Sequence, residues 1–204
     1  MKRVALIIGG KSDTFRDIEK CDFIIACDKG YSYCLQNNIR PDLLIGDFDS
    51  YLGDIPADIE TIRLPEAKDD TDTMFAYRRI KEMGFNEVYL YCALGGRIDH
   101  AYGNIQCAVY GARNGIDTTF INDDDQIIVT DKKEIVLERK PGCRFSLFAA
   151  DRIDEVSISG SKYDIDRLPF TNDFPLGQSN DWIDDKVTVI KSEGVLIIIE
   201  SKYS

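Results

Sequence analysis

Short, unbroken apolar runs punctuate the first two thirds of the chain. Residues 4–8, 23–27 and 43–45 are such runs, and each is followed by Gly or Asp. Runs that do not alternate with polar residues suit strands buried on both faces, as in a parallel sheet. The stretches 14–20 and 31–38 between them have helical composition. Residues 70–83 form a stronger helix, with Gly84 as its stop. A further strand is expected over 88–92. Ile98, Ala101, Ile105, Ala108, Val109 and Ala112 then recur at helical spacing. They predict a helix over 99–114, closed by Gly115. A strand over 118–121 completes the series. This rhythm predicts an α/β domain with a mostly parallel, doubly wound sheet.

From about Gln126 the pattern changes. Strand-like segments at 127–130, 134–137, 144–149, 155–159, 186–191 and 195–200 follow one another with no helical period between them. Pro141-Gly142, Ser159-Gly160-Ser161 and Glu193-Gly194 supply turn signals. This region reads as an all-β sandwich or barrel. The boundary falls near residues 125–133, giving domains over 1–128 and 129–204. No internal repeat is visible.

Composition narrows the function. The 204 residues carry 25 basic and 36 acidic side chains, a formal charge of −11, with no Lys/Arg run. Such a chain offers no phosphate-tracking stripe, which argues against nucleic acid as a partner. A small polyanion remains possible if metal ions screen the repulsion. No apolar stretch approaches the ~20 residues of a membrane span. The first apolar run is too short for a signal peptide and ends at Gly9-Gly10-Lys11, so it reads as a strand. Six cysteines are scattered without paired spacing, which fits reduced, buried thiols in a cytoplasmic protein. The single His100 excludes multi-His zinc sites. Beside Asp99 it reads as a hydrogen-bonded residue near a helix start, not as a base.

Acidic and Gly-rich motifs sit at the predicted strand ends. In Gly46-Asp47-Phe48-Asp49-Ser50, an extended backbone points Asp47 and Asp49 to one side and Phe48 into the core. Two carboxylates beyond a parallel strand suit Mg²⁺. Lys68-Asp69-Asp70-Thr71-Asp72 opens the long helix. Asp70 or Thr71 suffices as a cap, and the remaining acids beside a Lys suit a metal-and-phosphate cluster. In Leu94-Gly95-Gly96-Arg97-Ile98-Asp99-His100, the paired glycines let backbone N–H groups approach an anion. Arg97 can hold phosphate oxygens in bidentate fashion. Asp99 can cap the helix or reach a metal, and Asn104 lies near enough to share the ligand. Asp28, after the second strand, falls on the same sheet edge. Each motif alone has a plain reading as a turn or cap. Their convergence on one edge favours a shared crevice.

Asp28-Lys29-Gly30, Arg40-Pro41-Asp42-Leu43-Leu44-Ile45-Gly46-Asp47-Phe48-Asp49-Ser50, Lys68-Asp69-Asp70-Thr71-Asp72 and Leu94-Gly95-Gly96-Arg97-Ile98-Asp99-His100 resemble, in order and spacing, the thiamin pyrophosphokinase family. Gly160-Ser161-Lys162-Tyr163 and Gly177-Gln178-Ser179-Asn180-Asp181 resemble its second domain. The resemblance implies an ATP- and Mg²⁺-binding α/β catalytic domain and a β-sandwich that helps hold thiamin. It also implies a homodimer with substrate sites between subunits, and transfer of the pyrophosphoryl group of ATP to the thiamin hydroxyl. Carried over by position, Asp47, Asp49 and Asp72 are the Mg²⁺-binding acids, with Asp28 and Asp99 close by. Lys68 and Arg97 are phosphate contacts, Ser179 and Asn180 belong to the thiamin pocket, and Trp182 offers a stacking face. Asp72 and Asp99 are the candidates for orienting or deprotonating the hydroxyl. Two departures stand out. Asp28-Lys29-Gly30 replaces the usual Asp-Gly-Gly, and Ser179-Asn180-Asp181 replaces Ser-Asn-Glu. The same acids directing water at phosphorus would make a Mg²⁺-dependent phosphohydrolase. Binding without turnover would make a nucleotide or vitamin sensor.

Overall fold

The computed structural model describes residues 2–11, 14–48, 55–65 and 70–203. The chain divides into two compact units, Met1–Asp123 and Asp124–Ser204.

The first unit is built on six strands: β1 (Arg3–Ile7), β2 (Phe23–Cys27), β3 (Leu43–Gly46), β4 (Glu60–Arg63), β5 (Glu87–Tyr91) and β6 (Asp117–Ile121). All pair in parallel, in the order β6-β5-β1-β2-β3-β4. The chain therefore winds outward from β1 to β4, then returns to the other side of β1 for β5 and β6. The reversal lies between β1 and β5, where α/β sheets open a crevice off their carboxyl ends.

Three helices cover the sheet: α1 (Lys29–Gln36), α2 (Asp72–Glu82) and α3 (Ile98–Arg113). Ala5, Ile7, Ala26, Leu44, Tyr91 and Ile121 share one core with Tyr31, Tyr33 and Cys34 of α1. The strand register turns Val4, Leu6, Ile25, Val88, Leu90, Thr118 and Phe120 to the opposite face. There the Tyr77 hydroxyl of α2 lies 2.8 Å from Thr118 Oγ1 in a buried hydrogen bond. Gly111 of α3 makes room for that ring, because a Cβ would come within 2.7 Å of it. Complete burial of a Leu, Ile or Phe contributes about 2 kcal/mol, so these faces hold the helices in place.

The second unit contains β7 (Asp125–Thr130), β8 (Glu134–Glu138), β9 (Cys143–Ala149), β10 (Arg152–Ser159), β11 (Ile165–Thr171), β12 (Gly177–Asn180), β13 (Lys186–Lys191) and β14 (Leu196–Lys202). Its pairings are antiparallel. They run β12-β9-β14-β7 in one set and β11-β10-β13-β8 in the other. Alternate residues of the two sets meet in one core that includes Phe145, Leu147, Val156, Phe170, Val187 and Ile198.

Two expectations change. Residues 14–20 do not form an α-helix; a single 3₁₀ turn, Ile18–Lys20, stands there, after Asp17 at a left-handed φ of 65°. Phe15 stacks on Tyr91 at 5.6 Å, and the Tyr91 hydroxyl donates to Arg16 O at 2.9 Å. Anchoring to the core fixes this segment in an irregular path. The structure also adds three strands that apolar pattern did not reveal, β4, β11 and β12. Four of the six cysteines are buried, while Cys21 and Cys143 are half-buried. No described helix is long and apolar enough to cross a membrane.

Candidate active site

The acidic part of the site begins where β2 ends. Asp28 adopts φ 45°, a conformation L-residues rarely take. Its N–H donates to Ile45 O at 3.1 Å, tying the exits of β2 and β3 together. Its Oδ1 accepts from the Phe48 N–H at 3.4 Å. Gly46 permits this approach, since a Cβ there would lie 1.7 Å from Asp28 Oδ1. Phe48 is buried, as expected, but its backbone turns at a left-handed φ of 56° and is not the extended chain that the alternation assumes.

α2 delivers the next acid. Thr71 caps the helix, its side chain accepting from the Met74 N–H at 3.1 Å. Asp70 pairs instead with Arg78. Capping thus falls to Thr71, and Asp72 is left to meet Asp28, with whose carboxyl it shares a hydrogen bond. Two carboxyl groups can share a hydrogen bond only if one of them keeps a proton. The Asp28 carboxyl is accordingly pushed up to about 7, chiefly by burial, then by the Asp72 hydrogen bond and charge, with the Asp47 charge adding to them. The Phe48 N–H pulls the other way by more than the Asp47 charge adds.

Asp28, Asp47 and Asp72 thus meet electrostatically through Asp28. Among the described residues no three acidic, Cys or His side chains close up into a metal-sized cage. Asp49 and Lys68 lie outside the described residues. The donor set is all oxygen, the chemistry of Mg²⁺, and a cation would neutralise the charges that now require a shared proton.

The Gly-rich loop after β5 is arranged differently. Gly95 and Gly96 take φ of 79° and 77°, which only Gly adopts without strain. Arg97 precedes α3 and forks onto Asp99, with Nε–Oδ1 at 3.1 Å and Nη2–Oδ2 at 2.6 Å. Both side chains are exposed. The Arg97 hydrogen bond is the main cause holding the Asp99 carboxyl below its usual value. Asp99 therefore faces its own loop's arginine. Asn104, expected near the ligand, is buried and committed to the fold. Its Nδ2 donates to Ala93 O at 3.0 Å, and its Oδ1 accepts from Thr73 Oγ1 at 3.3 Å. It ties α3 to the exit of β5 and to α2. His100 is exposed.

In the second unit, Asn180 is 4% exposed and uses its amide fully. Its Nδ2 donates to Ser161 Oγ and Tyr163 O, both at 3.0 Å; its Oδ1 accepts from the Tyr163 and Asp181 N–H groups at 3.0 and 2.9 Å. Ser179 is exposed at φ 60°, its N–H donating to Ser146 Oγ at 3.0 Å. Trp182 corrects the expectation of a stacking face. Its ring is 3% exposed, meets Phe145 edge-on at 4.7 Å, and donates from Nε1 to Leu137 O at 3.2 Å. A second ring could stack on it only by opening the core. Tyr163 and Phe174, at 58% and 64% exposure, are the accessible aromatic faces of this region.

A family profile for the thiamin pyrophosphokinase catalytic domain matches residues 16–120, just over half of the chain. The chain belongs to the thiamin pyrophosphokinase family. It is 28% identical to a thiamine pyrophosphokinase of Bacillus subtilis (strain 168) over 98% of this chain and 99% of that one. A crystal structure of thiamine pyrophosphokinase from Bacillus subtilis superposes with a TM-score of 0.88 at 26% identity, covering all of both chains. The fold also matches thiamin pyrophosphokinase from Candida albicans, with a TM-score of 0.75 at 21% identity over 98% of this chain and 89% of that one. Family membership makes the chain an enzyme of the transferase class with thiamin pyrophosphokinase function.

One part of the thiamin pyrophosphokinase fold escaped sequence reasoning: the loop leaving β1. Gly10 packs against the exit of β5 so closely that a Cβ would lie 2.1 Å from Cys92 O. The Tyr33 hydroxyl of α1 donates to Gly10 O at 2.7 Å. The signal was present as two glycines and a lysine ending the first apolar run. They were read there only as the stop of a strand.

Proposed function

We propose that this chain transfers the pyrophosphoryl group of ATP to the hydroxyl of thiamin, giving thiamin diphosphate and AMP. The acids after β2 and β3 and at the start of α2 would hold Mg²⁺ and the triphosphate. The observation that carries this reading is the Asp28–Asp72 hydrogen bond with Asp47 charged beside it. Such a cluster is costly in an isolated protein and becomes favourable when a cation replaces the shared proton.

Asp47, Asp49 and Asp72 would bind Mg²⁺, with Asp28 adjoining them. When bound, the ion supplies charge screening and Lewis acidity toward phosphate oxygens. The chain's own groups do the rest. Lys68 and Arg97 contact phosphate, Arg97 leaving its exposed fork with Asp99 to do so. The Gly95-Gly96 backbone and the start of α3 offer N–H groups to an anion. Attack at the β-phosphorus releases AMP, and these cations stabilise charge on the equatorial oxygens and the leaving group. For the thiamin hydroxyl the orienting carboxylate is Asp72 or Asp99.

The second unit would hold thiamin. Ser179 lies in the pocket, Asn180 fixes its floor, and Tyr163 and Phe174 supply the walls for a cationic aromatic ligand. The same reading includes a homodimer with substrate sites between subunits and a cytoplasmic location, the latter supported by cysteines that are buried or half-buried. The test is incubation of the protein with ATP and Mg²⁺, with and without thiamin. AMP and thiamin diphosphate formed only when thiamin is present are the expected result. Phosphate release without thiamin would establish a hydrolase instead, and tight binding of ATP without turnover a sensor.

A further inference from the structure

The acids lie off β2, β3 and the start of α2, whereas the crevice where the winding reverses lies between β1 and β5. The loops that flank it are Gly9-Gly10-Lys11 after β1 and Gly95-Gly96-Arg97 after β5. They touch. A Cβ on Gly95 would lie 3.2 Å from Lys11 Cβ and 3.3 Å from Lys11 Cδ, so the aliphatic stem of Lys11 lies along the Gly95 backbone. The ammonium is two bonds beyond that Cδ, and the residue is exposed. Gly95 is held open at φ 79°, and Gly10 is locked to Cys92 O and to Tyr33. Both ends of the lysine's support are therefore built. A side chain at Gly95 would push the stem away, and one at Gly10 would separate the two loops.

Lys29 flanks the loop after β1 from α1, since a Cβ on Gly9 would lie 3.2 Å from its Cβ, but its ammonium is drawn to an aromatic face. It stands where the family has Gly, and its ammonium lies 5.3 Å from the centre of the Tyr33 ring. Arg97, on the same loop as Gly95, is occupied by Asp99. Lys11 thus anchors its stem on the loop that flanks the switch point, two bonds short of its ammonium, beside backbone glycines whose N–H groups an anion can approach.

We propose that Lys11 is a phosphate-contacting residue of the nucleotide site, holding the triphosphate at the β1–β5 crevice while the carboxylates act from the β2–β3 side. This division deepens the function proposed above and rests on it. With cations on one flank and the carboxylates on the other, the triphosphate would lie across the sheet edge, and Lys11 neutralises the phosphate that leaves as AMP, joined by Arg97 once it releases Asp99. A lysine used this way acts as a point charge, so its positive charge matters more than its hydrogen-bond geometry.

The test compares the full-length wild type with Lys11→Met and Lys11→Arg. Met keeps the stem that rests on Gly95 and removes the charge; Arg restores it. Binding of ATP with Mg²⁺ is measured by calorimetry, and KM for ATP and thiamin by AMP release. Lys11→Met is expected to weaken ATP binding and raise its KM about tenfold, with the thiamin KM within twofold of wild type, and Lys11→Arg to recover most of the loss. ATP binding and KM unchanged in Lys11→Met would overturn the proposal while leaving thiamin-dependent AMP formation intact. Failure of the wild type to form AMP would overturn the function itself, a distinct outcome.

Discussion

The acidic cluster of the first unit and the Asn180 cluster of the second are both made of polar side chains at the ends of strands and helices, in opposite electrostatic states. Around Asn180 every amide donor and acceptor finds a partner on Ser161, Tyr163 or Asp181. Asp164 likewise accepts from the Ser161 N–H and hydroxyl, both at 2.8 Å. Around Asp28, besides the Phe48 N–H, the neighbours are other acids, and with burial they push its carboxyl up to about 7. A satisfied network needs nothing further and fixes structure. A group of like charges is incomplete, and proteins keep such groups where a ligand finishes them. This contrast supports the proposal that the first cluster performs chemistry, while the second holds a surface in shape.

The sharpest way to break the contrast is to remove one central polar side chain from each cluster. Asp72→Asn keeps shape and removes the anion. We expect turnover to fall by more than about 100-fold, beyond the 10- to 100-fold typical of residues that only support a ligand, with circular dichroism and cooperative unfolding retained. Near-wild-type kcat in a folded Asp72→Asn protein would sink the assignment. Asn180→Ala does the reverse. It takes the partner from the Tyr163 N–H and C=O and from the Asp181 N–H, while Ser161 keeps Asp164, so stability should drop by about 2–3 kcal/mol in denaturant titration. The thiamin KM should rise and the ATP KM stay put. An undiminished midpoint would show that the network is not structural.

How much of this was legible in the sequence follows from where each residue finds its partners. Residues 23–27 and 186–191 were read with the bounds of β2 and β13, because their apolar content reflects burial within their sheets. The strands that went unread are edge strands. β4, β11 and β12 each end a strand order, and one neighbour demands little apolar sequence. β11 even contains Pro169, which an edge tolerates. The convergence of Asp28, Asp47 and Asp72 was legible because strand ends of a parallel sheet share one edge. The fates of Asn104 and Trp182 were not. Asn104 is fixed by Ala93 and Thr73, and Trp182 by Leu137 and Phe145. Such distant partners leave no local spacing to read.

The most direct measurement of the central claim is unfolding stability at pH 5 and pH 8, in EDTA and in Mg²⁺, for the wild type and Asp28→Asn. The folded chain holds the Asp28 proton up to about 7, whereas an unfolded aspartate releases it near 3.8. The folded state thus binds more protons between those values, and stability conferred by the protonated pair is lost as pH rises through that window. Half-exposure reduces the effect to on the order of 1 kcal/mol. The account predicts that metal-free wild type loses this increment at pH 8 relative to Asp28→Asn, and that Mg²⁺ restores it in the wild type. Equal pH dependence in the two proteins, with no stabilisation by Mg²⁺, would contradict it.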